Sequence, residues 1–276
     1  MQRHCLWNYP FSERGDPMYL LVYKFGGSSV ADAAGLRRAA EQLAAAAAAG
    51  HHIIAVVSAQ GKTTDRLLQS TAELTRHPSC RETDQLLATG EQASAALLAI
   101  TLQEMGLPAV SLTGSQAGIH TDGNYGAAEI TALHRRRILR ELEAGNIVVT
   151  AGFQGIDRRG DTTTLGRGGS DTTAVALAAA FDACGCRICT DVDGVYDRDP
   201  RRFPESRRYD FISYDDMLAM AESGAKVLHP RSVSLARRYC VPLSVLRTGA
   251  ESPSTVVGLA ERRRHSLAAD TVFLFR

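Results

Sequence analysis

The chain predicts an α/β fold, a three-layer αβα sandwich around a mainly parallel central sheet. Three observations carry that prediction. Short apolar runs of strand type alternate with helical patterns along most of the sequence, as crossover connections between parallel strands require. Several of these runs are apolar at nearly every position, as in strands buried on both faces. Gly-rich turns fall where the runs end, at the strand ends where such sheets bind ligands.

The elements follow in order. Residues 19–23 read as a buried strand, and residues 33–49 as an Ala-rich helix closed by Gly50. Residues 53–57 form the next strand. Residues 65–76 and 83–105 are helical, the second broken or bent near Gly90. A short strand covers 108–112, a helix covers 131–144 and stops at Gly145-Asn146, and a strand covers 147–150. Residues 155–164 are polar and read as a hairpin or loop. A helix over 170–181 has Ser170 or Asp171 near its N-cap. A strand at 186–190 leads into a long polar loop over 193–208. Helices at 214–223 and 230–239 and a strand at 242–246 complete the pattern.

Composition narrows the function classes. Of 276 residues, 45% are hydrophobic and 22% charged, as in a globular protein. A net charge of +1 gives no bulk attraction to nucleic acid or to a membrane surface. The short Arg135-Arg136-Arg137 and Arg262-Arg263-Arg264 runs read as solvated faces. No apolar run has the length of a membrane span, and the polar N-terminus has no secretion-signal core. Six cysteines in no disulfide pattern fit a reducing, cytoplasmic setting. Cys184, Cys186 and Cys189 lie close together without a fourth ligand at zinc spacing, and read as small residues on a core strand. Residues 1–17 read as a disordered extension or a misassigned start ahead of Met18, residues 18–257 as one catalytic domain, and residues 258–276 as a tail too short for a further domain.

Three turns stand out: Lys24-Phe25-Gly26-Gly27-Ser28-Ser29, Gly166-Arg167-Gly168-Gly169-Ser170-Asp171 and Thr190-Asp191-Val192-Asp193-Gly194. Glycines admit an anion close to the backbone, and a following helix turns its free N–H groups toward it. Several such turns from distant parts of one chain imply a phosphorylated ligand held at more than one point. Gly61-Lys62-Thr63 mimics the end of a P-loop, but the glycine that motif needs five residues earlier is Val56. No GxGxxG turn follows the first strand, which speaks against a dinucleotide-binding dehydrogenase.

The run from Val22 through Lys24-Phe25-Gly26-Gly27-Ser28-Ser29 to Val30 resembles the opening motif of the aspartate kinases, in the amino acid kinase family. The resemblance continues in order through Ser58-Ala59-Gln60-Gly61-Lys62-Thr63-Thr64-Asp65, Leu87-Ala88-Thr89-Gly90-Glu91-Gln92 and Gly152-Phe153-Gln154-Gly155. It extends through Thr164-Leu165-Gly166-Arg167-Gly168-Gly169-Ser170-Asp171, Thr190-Asp191-Val192-Asp193-Gly194-Val195-Tyr196 with Arg201, and Gly224-Ala225-Lys226-Val227-Leu228-His229-Pro230. Together these motifs cover roughly residues 19–257. The resemblance implies the amino acid kinase fold and transfer of the ATP γ-phosphoryl group to the side-chain carboxylate of L-aspartate. The product, 4-phospho-L-aspartate, feeds lysine, threonine and methionine synthesis.

Phosphoryl transfer needs positioning and charge neutralisation, and a carboxylate nucleophile is already ionised at neutral pH. Lys24, at a strand end beside glycines, can reach the transferring group, with Lys226 as a second cation and Asp171 to orient the lysines or cap its helix. Gly26, Gly27 and Ser28 would offer N–H and hydroxyl donors to phosphate. The resemblance places Thr190, Asp191, Tyr196 and Arg201 on the ATP side, and Ser58, Thr64, Glu91, Phe153, Arg167 and Ser170 around aspartate. Arg167 suits a carboxylate through its planar fork, and Glu91 suits an ammonium. Mg²⁺ is expected on the β- and γ-phosphates, with no dedicated protein cage. His229 reads as packing with a local hydrogen bond. A homodimer is expected.

Many relatives of this type carry two C-terminal ACT domains that bind lysine or threonine. The chain ends about where they would begin, so the expectation is a catalytic domain without feedback control in the same chain, or a truncated enzyme. Two alternatives stay open: another carboxylate or nucleotide kinase of the same fold, and a regulatory subunit that binds nucleotide without turnover.

Overall fold

The structure is a computed structural model that describes residues 19–225, 227–250, 255–259 and 272–275. The first strand, β1 (Leu20–Phe25), is followed by α1 (Ala33–Ala48), β2 (His52–Val57), α2 (Thr63–Leu74) and α3 (Cys80–Glu104). Next come β3 (Ala109–Leu112), β4 (Ile119–Thr121), β5 (Ile130–His134), α4 (Arg136–Glu143), β6 (Ile147–Ala151), β7 (Gln154–Ile156) and β8 (Thr162–Thr164). Then follow α5 (Gly169–Ala180), β9 (Gly185–Thr190), β10 (Phe211–Ser213), α6 (Tyr214–Glu222), α7 (Pro230–Arg238) and β11 (Leu243–Arg247). The last elements are β12 (Thr255–Gly258) and β13 (Val272–Leu274).

The large sheet runs β10-β12-β11-β9-β1-β2-β6-β3, and every neighbouring pair is parallel except β11 with β12. Alternation along the central strands separates two cores, because successive side chains face opposite sides. Leu20 and Val22 of β1, Ile54 and Val56 of β2, and Cys186 and Ile188 of β9 face the layer holding α5, α6 and α7. Leu21, Tyr23 and Phe25, with Ile53, Ala55, Val57 and Cys189, face the layer of α1 and α3. This is the expected αβα sandwich. The same alternation puts Lys24 on the side of Leu20 and Val22, toward α5.

A second, smaller sheet runs β13-β5-β4-β7-β8 and lies outside the sequence-based expectation. The helix expected over 131–144 splits into β5 and α4, because Ile130–His134 pairs antiparallel with β4 and buries Leu133 opposite Ile119. Helix α3 runs unbroken through Gly90. A Cβ there would stand 2.9 Å from the Ala59 Cβ, so the glycine serves close packing and not a bend. Residues 155–164 form the expected hairpin, β7 with β8. The loop after β9 carries one isolated bridge, Tyr196 with Arg208. At the far end, β12 joins the large sheet and β13 pairs with β5, so Val272–Leu274 of the expected tail is a strand. Residues 1–17 lie outside the described residues.

Cys186 and Cys189 are buried on opposite faces of β9, and burial raises both thiols, that of Cys189 to about 12. They are core residues, as expected. No helix among the described residues is long and apolar enough to cross a membrane.

Candidate active site

The parallel register brings the C-terminal ends of β1, β2, β6 and β9 to one edge of the sheet. The Gly-rich turn after β1 sits there, pinned by short contacts. Gly26 N–H donates to the Cys189 carbonyl at 3.3 Å, and Ser29 N–H to Gly26 at 2.9 Å. A Cβ on Gly27 would lie 2.5 Å from the Ala59 carbonyl oxygen, so this position takes only glycine while the β2–α2 turn stays in place. The Gly26 amide is thus committed within the sheet. The Gly27 and Ser28 N–H groups have no partner among the described residues, and they are the donors the turn holds open.

Lys24, set toward α5 by strand alternation, meets Asp171 in the first turn of that helix, Nζ to Oδ1 at 2.7 Å. Their side chains are 13% and 12% exposed, so the pair is partly desolvated and its charge is felt strongly nearby. The helix start is shaped by Gly168, whose φ of 71° is left-handed. A Cβ at Gly168 would come within 2.2 Å of the His229 ring. His229 itself caps α7, its Nδ1 accepting from Arg231 N–H at 3.3 Å, which is the packing role expected of it.

Glu91 projects from α3 into the turn after β2. It is 4% exposed, and Oε1 accepts from the Ala59 N–H at 3.0 Å. Oε2 is buried without a partner among the described residues, and burial raises the carboxyl to about 7. Phe153 follows β6 with a φ of 69°, a left-handed conformation rare for a bulky residue. Its N–H donates to Thr173 Oγ1 at 3.1 Å and its carbonyl accepts from Leu165 N–H at 2.9 Å, which hold that conformation. Ser170 packs against Gly152, where a Cβ would stand 2.9 Å from Ser170 Oγ.

The hydroxyls of Ser28, Ser58, Thr64 and Ser170 make no hydrogen bond among the described residues, and Arg167 is exposed without an ion-pair partner there. By contrast, Thr172 and Thr173 close onto their own helix, on the Gly168 and Gly169 carbonyls at 3.1 and 2.9 Å. These open donors lie in the segments that follow β1, β2 and β8.

The loop after β9 forms a second cluster. Arg201 Nη2 lies 2.7 Å from Asp191 Oδ2, and that guanidinium holds the Asp191 carboxyl below the usual range. Thr190 Oγ1 donates to Asp191 Oδ1 at 3.1 Å, and Tyr196 OH to Asp193 Oδ1 at 2.9 Å. The four residues expected on the nucleotide side thus lie at the end of β9 and on the loop after it, with Asp191 and Arg201 engaged with each other. Asp193, which orients Tyr196 and lies 3.3 Å from Arg208, belongs to a turn that stands out in the sequence but takes no individual role there. Its three-residue offset from Tyr196 was the available signal. Lys226 lies outside the described residues.

A profile of the amino acid kinase family matches residues 20–247. The chain belongs to the amino acid kinase family. It is 50% identical to an aspartokinase of Geobacillus stearothermophilus over 240 residues, which are 87% of this chain and 59% of that protein. The chain thus spans less than two thirds of the length of that curated relative. An aspartate kinase structure from Synechocystis superposes with a TM-score of 0.80 at 41% identity, covering 92% of this chain and 41% of that one. The E. coli aspartokinase III complex with aspartate and ADP superposes with a TM-score of 0.77 at 30% identity, over 88% of this chain and 65% of that one.

The edge of the large sheet holds two kinds of group. Lys24, the Gly27 and Ser28 amides and the α5 N-terminus offer positive charge and N–H donors, as an anionic phosphoryl group needs. Glu91, Arg167 and the unpaired hydroxyls offer a cation partner, an anion partner and neutral donors, as a zwitterionic acid needs.

Proposed function

We propose that the chain is the catalytic unit of an aspartate kinase, which transfers the ATP γ-phosphoryl group to the β-carboxylate of L-aspartate and yields 4-phospho-L-aspartate and ADP. The observation that carries the reading is the partly buried Lys24–Asp171 pair, flanked by an exposed Arg167 and a buried, half-satisfied Glu91. The aspartate and ADP bound to the E. coli relative support the same substrate pair.

In this mechanism Arg167 takes the α-carboxylate of aspartate in its fork, and Glu91 takes the α-ammonium through its free Oε2. Ser58, Thr64, Ser170 and the backbone at Phe153 complete the cradle. The β-carboxylate then attacks in line, already ionised, and needs no general base. Lys24 sits over the transferring group and neutralises charge on its oxygens, while Asp171 fixes the ammonium direction. The Gly27 and Ser28 amides hold phosphate oxygens, and Gly26 gives the turn its shape. Lys226 supplies the second cation. Thr190, Asp191, Tyr196 and Arg201 hold the nucleotide, which requires Arg201 to turn partly from Asp191 toward phosphate.

Mg²⁺ would supply charge neutralisation on the β- and γ-phosphates. A divalent ion of this kind is bound mainly through substrate phosphates and water, with Lys24 and the Gly27 and Ser28 amides holding the phosphates beside it. On the same reading the chain works in the cytoplasm as a homodimer, residues 18–257 form the catalytic unit, and the step opens lysine, threonine and methionine synthesis.

An acyl-phosphate trap tests the proposal. Protein, Mg-ATP and hydroxylamine are mixed with L-aspartate, L-glutamate, N-acetylglutamate or no acid. Hydroxamate with aspartate alone is expected. Hydroxamate with another acid moves the assignment within the fold, and none with any acid leaves a nucleotide-binding subunit or a catalytic unit that works only with further chain.

A further inference from the structure

Helix α3 presents Asp84, Ala88 and Gln92 at four-residue spacing, hence on one face, and all three meet the small sheet. The Ala88 carbonyl accepts from Gln154 Nε2 at 2.9 Å, and Gln92 Nε2 donates to Gln154 Oε1 at 3.0 Å. Asp84 is 1% exposed and accepts three hydrogen bonds. Oδ2 takes the N–H groups of Gly126 at 2.9 Å and Thr164 at 2.7 Å, and Oδ1 takes the Thr164 hydroxyl at 2.7 Å.

Thr164 ends β8, and Arg167 lies three residues further on. From the opposite side, Arg231 of α7 donates Nη1 to the Leu165 carbonyl at 2.6 Å and Nη2 to the Ala128 carbonyl at 3.2 Å. The Ala128 N–H in turn donates to the Thr164 carbonyl at 2.9 Å. A carboxylate and a guanidinium from two helices therefore grip adjacent residues of one loop, together with the 126–128 segment beside it. Burying a charge is costly unless it is bonded, and here the buried Asp84 and the half-buried Arg231 are both spent on Thr164–Leu165 and the neighbouring 126–128 segment.

We infer that Asp84 and Arg231 are positioning residues for the amino acid substrate: they suspend the Thr164–Gly169 loop between α3 and α7 and so set where Arg167 can reach. This rests on the substrate assignment proposed above. Because α3 also carries Glu91, one rigid helix fixes both the cation-binding and the anion-binding ends of the cradle, and the distance between them becomes a specificity device for the length of the acid.

The test compares D84A with D84N in the full chain, by steady-state kinetics in L-aspartate and in ATP. An asparagine can keep both N–H contacts on its oxygen and donate its amide to the Thr164 hydroxyl, which then accepts. Expected is a rise in KM for aspartate of about tenfold or more in D84A, the scale of one to two lost buried bonds. The KM for ATP should stay within about twofold, and D84N should recover most of the loss. A merely structural role would lower the active fraction with no selective change in the aspartate KM. An unchanged aspartate KM in D84A, or equal values in D84A and D84N, overturns the inference. If D84A gives no cooperative melt, R231M takes its place and must show the same selective rise. If the wild-type chain turns over no aspartate, the functional reading fails first. Amide exchange over residues 162–170 then decides: faster exchange in D84A but not in D84N is expected, and unchanged protection refutes the suspension.

Discussion

Replacing Glu91 with Gln isolates one buried charge. The carboxyl is 4% exposed, holds one hydrogen bond from Ala59 at 3.0 Å, and is raised by burial to about 7 from an ordinary value of 4.5. An acid whose folded value lies above its unfolded value makes the folded state bind more protons between the two, so stability falls as pH rises through that window. Below 4.5 both states are protonated and nothing is lost; above 7 both are ionised and the full penalty stands. At about 1.4 kcal/mol per pH unit, that gap amounts to about 3 kcal/mol. Glutamine keeps the acceptor for the Ala59 N–H and carries no charge. Urea unfolding of wild type and E91Q, followed by circular dichroism from pH 4.5 to 8, should show the variant gaining about 3 kcal/mol on the wild type across the range. A constant difference between the two proteins would refute the reasoning. On the proposed substrate assignment the penalty has a functional counterpart: an ammonium ligand would supply the missing cation and pull Glu91 back toward ionisation. L-Aspartate should therefore raise the melting temperature of the wild type and do little for E91Q.

Three further outcomes follow from the site. K24A should lower turnover by about a hundredfold or more, and also lower stability by about 3 kcal/mol, because it leaves the Asp171 charge buried and unpaired. The K24M/D171N pair should restore the urea midpoint but not turnover, and recovered turnover would remove Lys24 from the chemistry. R167A, on an exposed side chain, should raise the KM for aspartate with a stability change of only about 0.5 kcal/mol, and a normal KM would exclude the carboxylate contact. G168A should cost about 3 kcal/mol in thermal or urea unfolding, whereas G160A, at a φ of 86° with open space around the new Cβ, should cost only about 1 kcal/mol. Equal costs would mean that the His229 ring moves aside freely.

Much of this architecture was legible before any coordinates. Short, β-branched apolar runs such as Ile53 to Val57, bounded by turns, fit a sheet buried on both faces, and glycine turns at their ends are readable one residue at a time. Local pattern therefore determined the parallel core, most helices, the hairpin and the residue types at the strand ends. What it did not determine was long-range pairing. The segment at 130–134 runs into the helical pattern of 136–143 in sequence, and becomes β5 only because β4 lies beside it to accept its backbone. Gly90 reads as a helix breaker, and only the approach of Ala59 shows that its missing Cβ is a packing requirement. Glu91 reads in the sequence as a partner for an ammonium, and only tertiary burial removes its water and raises its carboxyl. Lys24 and Asp171 are remote from each other along the chain, and strand alternation plus helix placement close them to 2.7 Å. Residue chemistry is local and is written in the sequence; desolvation and the distance between charges arise only when remote segments pack.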